Sequence, residues 1–305
     1  MKGEGMKRSL CLPALLFAAL CMICFSQGGH GAPAKRAEAH SFLAPGRMQV
    51  YVLDVGKGQS VLVISPAGKA ALVDAGSEAA SSRVVDAIRR RGIRNLEVVV
   101  ATQAGADYVG GLRRVAASSD IVIKSFVDSS QPWKTDAYQQ TLAAVQSAGI
   151  PIVAARRGQL FDLGGGARLD ILNPAGDGNW IEPAAGESRE NANSVIVRLL
   201  YRDFVMLIMS GAGAATAAQL LEARQNIWAP FLLVGAGGAP NSVSEKMLSI
   251  VQPKFAIIST AASGPPADET VERLKAVKAE IYRTDASGEI SITSDGKKHE
   301  IAKGR

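Results

Sequence analysis

Three aspartates stand where this chain could gather a cation. Asp54, Asp74 and Asp107 each end or follow a strand-like apolar run. A hard cation such as Mg²⁺ tolerates a few carboxylates completed by water. A transition-metal site is harder to assemble, because catalytic zinc takes about three protein ligands from His, Cys, Asp or Glu and keeps one position open. Among 305 residues there are three cysteines, Cys11, Cys21 and Cys24, and three histidines, His30, His40 and His299. All three cysteines and His30 precede residue 35, in a segment that reads as a removable leader. What remains holds no thiol and two histidines, neither of them inside a motif. Nucleophilic chemistry fares no better: no histidine stands in a triad arrangement with a serine, and "ISTAASG" lacks the pattern of a nucleophile elbow.

The elements that must position these residues begin after the leader. Lys2, Lys7 and Arg8 precede an apolar run from Leu10 to Phe25, and Ala32-Pro33-Ala34 supplies a small-residue cleavage site. Basic, then apolar, then small is the layout of a signal peptide, here residues 1–34. An uncleaved anchor is the alternative, although the run is shorter than a comfortable span. A lipoprotein is disfavoured by bulky Leu20 and Ile23 just before Cys21 and Cys24. Cleavage predicts an extracytoplasmic protein, periplasmic or secreted, with no membrane attachment. Its 31 basic and 27 acidic residues give a net charge of +4, which is compatible with an anionic partner but does not specify one.

Residues 35–47 form a polar lead-in, and residues 48–305 form a single domain of strands punctuated by helices. "MQVYVLDV", "SVLVIS", "KAALVDAG" and "LEVVVAT" read as strands, the last leading into "ATQAGADYVGG". Val84, Val85 and Ile88 share one face of a helix that Gly92 stops, and a second helix spans 135–148. "IVIKSFV" reads as one strand, and residues 174–190 as a Gly-, Pro- and acid-rich loop. "NSVIVRLLY", "FVMLIMS", "FLLV" and "KFAIIST" supply the later strands, separated by helices at 214–224 and 243–250 and followed by one at 268–277. "EIYRT", "EISITS" and "KHEIA" close the chain as short strands. Strands at both ends with helices between them predict two mixed sheets packed face to face with helices on the outer faces.

Several blocks in this order carry a resemblance: "LDVGKGQS", "LVDAG", "ATQAGADYVGG", "NSVIVRL", "LIMSGAG", "LLVGAGGAPNS" and "YRTDASGEISITSDG". From about Met48 to Ile301 the chain resembles the metallo-β-lactamase-fold domain of ComEC-type DNA-uptake proteins and their free-standing hydrolase relatives. That resemblance implies an αββα sandwich with a metal site at one edge of the sheets. The family's ligand phrase, T-H-x-H-x-D-H-x-G-G, is matched at Thr102, Asp107, Gly110 and Gly111. Its three histidine places hold Gln103, Gly105 and Tyr108. The aspartate of its "S/T-G-D" is Ala212, and the histidines of its "G-H-H-G-S" are Ala236 and Gly237. Its "GQGD" turn has become Gly56-Lys57-Gly58-Gln59.

The resemblance thus implies a degenerate centre in which neither a catalytic residue nor a metal ligand set is assigned and no cofactor is expected. Asp74, Asp54 and Thr102 are then supporting groups, Asp74 holding the former ligand loop by hydrogen bonds. Asp107, just before a helix expected to begin near Val109, is read as that helix's N-cap. The function that follows is an exported pseudoenzyme acting as a binding or scaffold module, whose partner is unknown; an active paralogue or another exported protein would suit. Two rivals stand beside it. One is a divergent metal-dependent hydrolase, phosphodiesterase- or nuclease-like, built on Asp54, Asp74 and Asp107. The other is a DNA-binding accessory factor of DNA uptake, gripping phosphates weakly and without sequence preference through Arg113 and Arg114. Arg89-Arg90-Arg91 and Arg156-Arg157 are further basic groups, and the "GAGGA" loop is a weak candidate for an anion. No aromatic platform accompanies them.

Overall fold

The computed structural model describes residues 46–264 and 266–305. The leader and most of the lead-in lie outside the described residues.

Strands β1 (Met48–Val52), β2 (Val61–Ile64), β3 (Ala70–Val73) and β4 (Asn95–Val100) open the domain, with helix α1 (Ser81–Arg90) between the last two. Short helices α2 (Ala106–Val109) and α3 (Leu112–Ala116) follow, then β5 (Val122–Ile123), β6 (Phe126–Asp128), α4 (Asp136–Ser147) and β7 (Ile152–Ala154). The second half runs β8 (Leu160–Gly164), β9 (Ala167–Asn173), α5 (Arg189–Ala192), β10 (Ile196–Tyr201), β11 (Phe204–Ile208) and α6 (Ala214–Glu222). It continues with β12 (Phe231–Leu233), α7 (Glu245–Val251), β13 (Phe255–Ile258), α8 (Asp268–Ala276), β14 (Glu280–Arg283), α9 (Thr284–Ser287), β15 (Ile290–Ser294) and β16 (His299–Lys303).

The first sheet has the order β16-β15-β1-β2-β3-β4-β6-β7, with β5 also on β4; the second runs β14-β13-β12-β11-β10-β9-β8. Both are mixed. In the first, β3, β4, β6 and β7 run parallel while β16, β15, β1, β2 and β3 alternate. In the second, β11 to β14 are parallel and β8 to β11 antiparallel.

Strand alternation explains how the sheets stack. Along β1, Met48, Val50 and Val52 point into the layer between the sheets, where they meet Leu169, Val197, Met206 and Ile257. Tyr51 points the other way, into the layer under α1 and α4 with Val84, Ile88 and Tyr138. A third apolar layer lies on the far face of the second sheet, where Leu207, Leu232 and Ala256 pack beneath Leu220, Met247 and Leu274 of α6, α7 and α8. Strands buried on both faces must be apolar on both, and this is why "VLVI" and "AALV" lack a polar alternate. Each large side chain so buried contributes roughly 1.5–3 kcal/mol relative to exposure. The four layers are those expected from the strand and helix order.

Two local readings change. "IVIKSFV" is two strands, because only Val122–Ile123 and Phe126–Asp128 align with β4, in separate registers. The segment "TDASG" contains a short helix, α9, that turns the chain from the second sheet back to the first.

Candidate functional site

The residues singled out in the sequence collect where the parallel strands of both sheets end. Asp74 follows β3, Thr102 and Gln103 follow β4, Ala212 follows β11, and Ala236 and Gly237 follow β12. The carboxyl ends of parallel strands are where such sheets leave a crevice.

Asp74 is the centre of the cluster. It is fully buried and has a left-handed backbone, φ 56°. Its Oδ1 accepts the Thr102 N–H at 2.8 Å, and its Oδ2 accepts the Thr102 hydroxyl at 2.6 Å. The Gln59 amide donates to the same Oδ2 at 2.9 Å and also to Ser210 Oγ at 3.0 Å. One glutamine therefore ties the two sheets together. Burial pushes the Asp74 carboxyl up to about 7, outweighing the opposing donors from Thr102 and Gln59.

Gln103 fills the space beside it. Its Oε1 accepts the Gly105 N–H at 2.8 Å and its Nε2 donates to Asn191 Oδ1 at 2.9 Å. The fit depends on small neighbours: a Cβ at Gly105 would lie 2.6 Å from Gln103 Oε1, and one at Gly211 only 2.5 Å from Nε2. Tyr108 is buried, and burial, with the negative charges of Asp74 and Asp107, pushes its hydroxyl upward despite a hydrogen bond from Gln103. Ala212 is fully buried, while Ala236 and Gly237 are half-buried in a left-handed turn. Above this floor lies a cleft of about 330 Å³ whose wall includes Lys57, Asp107, Tyr108, Ala236, Gly237 and Ser259.

These residues do not make a metal centre. Alanine and glycine side chains cannot ligate, and both polar ends of Gln103 are engaged. Among the described residues no three His, Cys, Asp or Glu side chains come together as a cation site. The carboxylate triplet does not converge either. Asp54 faces away: its carbonyl accepts from Arg83 at 2.9 Å, and its carboxylate lies 3.5 Å from Arg305.

The capping role expected for Asp107 is a correction. Helix α2 begins at Ala106, its N-cap is Gly105, and the Tyr108 and Val109 N–H groups close on the Gly105 carbonyl. Asp107 therefore stands inside the first turn, where it makes no capping bond. The helix starts early because Gly105, held by Gln103, is already extended at φ −69° and ψ 140°.

The basic groups lie elsewhere. Arg113 is paired with Glu78 and donates to Gln140 at 3.0 Å. It and Arg114 belong to α3, which packs on α1 and α4, and neither lines the cleft. Arg91 is buried 3.7 Å over the Tyr51 ring and bonded to Glu289 at 2.5 Å. Arg157 holds Leu172 and Gln219.

Sequence reasoning missed Asn191, Glu187 and Ser210. The signal for Asn191 was slight: Ser188 caps α5 by accepting the Asn191 N–H at 3.1 Å. Glu187 reaches from the loop to the start of α6, accepting from Gly213 at 2.9 Å and Ala215 at 3.3 Å. A carboxylate there satisfies free N–H groups and meets the positive helix end. Glu187→Ala is expected to cost about 1 kcal/mol, a melting-temperature loss of roughly 2–4 °C by calorimetry. An unchanged midpoint would mean that the loop contributes nothing to α6.

Residues 53–180 match the family model described as the Metallo-beta-lactamase superfamily. Among curated proteins, the chain is 22% identical over 269 residues to ComE operon protein 3 of Bacillus subtilis, covering 79% of this chain and 32% of that protein. It is 24% identical to Competence protein ComA of Neisseria gonorrhoeae, covering 80% and 32%. It is 27% identical to Recombination protein 2 of Haemophilus influenzae, covering 84% and 30%. The chain thus spans about a third of the length of these relatives. In fold it is similar to a mutant of CmlA beta-hydroxylase (TM-score 0.51, 10% identity, 82% of this chain and 54% of the other). It is likewise similar to Zn(2+)-bound PqqB from Methylobacterium extorquens (TM-score 0.50, 12% identity, 77% and 97%).

Proposed function

Because the chain carries a metallo-β-lactamase superfamily domain with competence-protein relatives, we propose that it is an exported member in which the metal centre has given way to a binding or scaffold module. The observation that carries this reading is the Gln103 amide, bonded on one side to Gly105 and on the other to Asn191. A ligand histidine would present a free lone pair to a cation; this amide is closed into the fold. Ala212, Ala236 and Gly237 around it offer no replacement donor. Losing the ligands together also avoids stranding a cluster of buried charges without a cation. On this reading the partner is an active relative or another exported protein, and the domain works outside the cytoplasm.

Purified mature protein, grown with added zinc and manganese, is expected to carry no stoichiometric transition metal by elemental analysis. One equivalent of either, retained through gel filtration, overturns the reading. Export predicts cleavage close to Ala34, read from intact mass after host fractionation; an uncleaved chain in the membrane fraction would make the leader an anchor. A DNA role receives less support, since Arg113 is committed to Glu78 and Gln140.

A further inference from the structure

We propose that the cleft beside the former ligand loop binds a small zwitterion, its carboxylate on Lys57 and its ammonium on Asp107. This rests on the cleft being a binding site and not a metal centre. Lys57 and Asp107 line the same cleft of about 330 Å³, a volume at the small end of ligand sites. Among the described residues neither side chain has an ion pair or hydrogen bond, with the other or with any third group.

The two charges are set on elements that cannot drift apart. A Cβ at Gly58 would lie 1.6 Å from the Asp107 carbonyl oxygen, so the turn carrying Lys57 is seated directly on α2. Lys57 Cε lies 3.6 Å from where a Gly264 Cβ would stand, which runs its stem along the far wall.

A third group lacks a partner. Ser259 is only 2% exposed and belongs to the cleft wall, and its Oγ makes no hydrogen bond. Alternation along β13 places Ser259 on the same face as Phe255 and Ile257, toward the space between the sheets. A hydroxyl buried without a partner is the exception in folded proteins, and a polar group bound nearby would supply one.

The pair of charges selects the ligand. A polyanion meets the Asp107 carboxylate and a simple cation meets the Lys57 ammonium, whereas a molecule with both charges satisfies both. Tyr108, Ala236 and Pro240 line the same cleft and give it apolar surface beside the two charges. The chemical class is therefore a free α-amino acid or a compound of similar size bearing an ammonium and a carboxylate.

Amide NMR of the labelled protein, titrated with glycine, alanine, acetate and methylammonium, tests this. Glycine or alanine is expected to give saturable shifts at Lys57, Tyr108, Gly237 and Gly264, with acetate and methylammonium at least about tenfold weaker. Lys57→Gln and Asp107→Asn should each lose about tenfold in affinity for the amino acid. Their own spectra report whether they are folded. Acetate binding as tightly as glycine, with Asp107→Asn without effect, would leave a simple oxyanion site and overturn the proposal; so would the absence of any saturable shift. Metal analysis of the same sample separates the two failures: bound metal sinks the functional reading, while metal-free protein indifferent to glycine sinks only this inference.

Discussion

Gly58→Ala is expected to destabilise the domain by on the order of 3–5 kcal/mol, lowering the melting temperature by roughly 10 °C. Two costs add. The position has φ +82°, a region where an L-residue is strained by about 1–2 kcal/mol. The new Cβ would also stand 1.6 Å from the Asp107 carbonyl oxygen and 2.5 Å from its carbon. Both are backbone atoms, so no flexible side chain can yield, and the turn must lift off α2. Gly56→Ala is the matched control, with φ +75° and nothing within 4 Å of the added carbon. It should lose only the strain, about 1–2 kcal/mol. Urea melts of the two variants decide the matter. Equal losses would mean that the turn and α2 are not in the contact described.

The same pair of elements shows what the sequence could and could not disclose. Strands such as β2 and β3 were legible because burial on both faces forces a continuous apolar run, and that requirement is local. The pairing of β1 with β15 was not, since it joins Val50 to Ile292 across nearly the whole chain and no local pattern encodes a partner. At the site, the absence of ligating side chains at Ala212, Ala236 and Gly237 could be read position by position, because it is a matter of atom type. What replaced the ligands could not. Gln103 meets Asn191 through a loop whose path depends on the Glu187, Asn191 and Asn193 hydrogen bonds, and Asn193 alone makes contacts to Ile181 and Arg189. Asp107 was misplaced for a similar reason: the helix start was set by a bond from Gly105 to Gln103, which no capping pattern contains.

Asp74 is the residue on which these substitutions converge, and its loss is expected to have the other large effect. Asp74→Ala should cost on the order of 3–5 kcal/mol, because it leaves the Thr102 N–H, the Thr102 hydroxyl and the Gln59 amide without their acceptor in a buried site. Its left-handed φ of 56° adds to the alanine penalty, whereas asparagine tolerates that conformation. Asp74→Asn should therefore lose less, about 1–2 kcal/mol, with the Thr102 hydroxyl free to rotate toward the new amide. The two forms also differ in pH dependence. The folded carboxyl sits at about 7, above its ordinary 3.8, so the native state keeps this proton longer than the unfolded chain. Stability from this group is fully present below about 4 and is lost as pH rises through about 7, by on the order of 2–4 kcal/mol. Urea midpoints measured between pH 5 and pH 8 should fall with rising pH in the natural protein, and the slope should flatten in Asp74→Asn. A slope that survives the asparagine substitution would place the titrating group elsewhere. It would also mean that Asp74 keeps a single protonation state across this range, held by its bonds to Gln59 and Thr102.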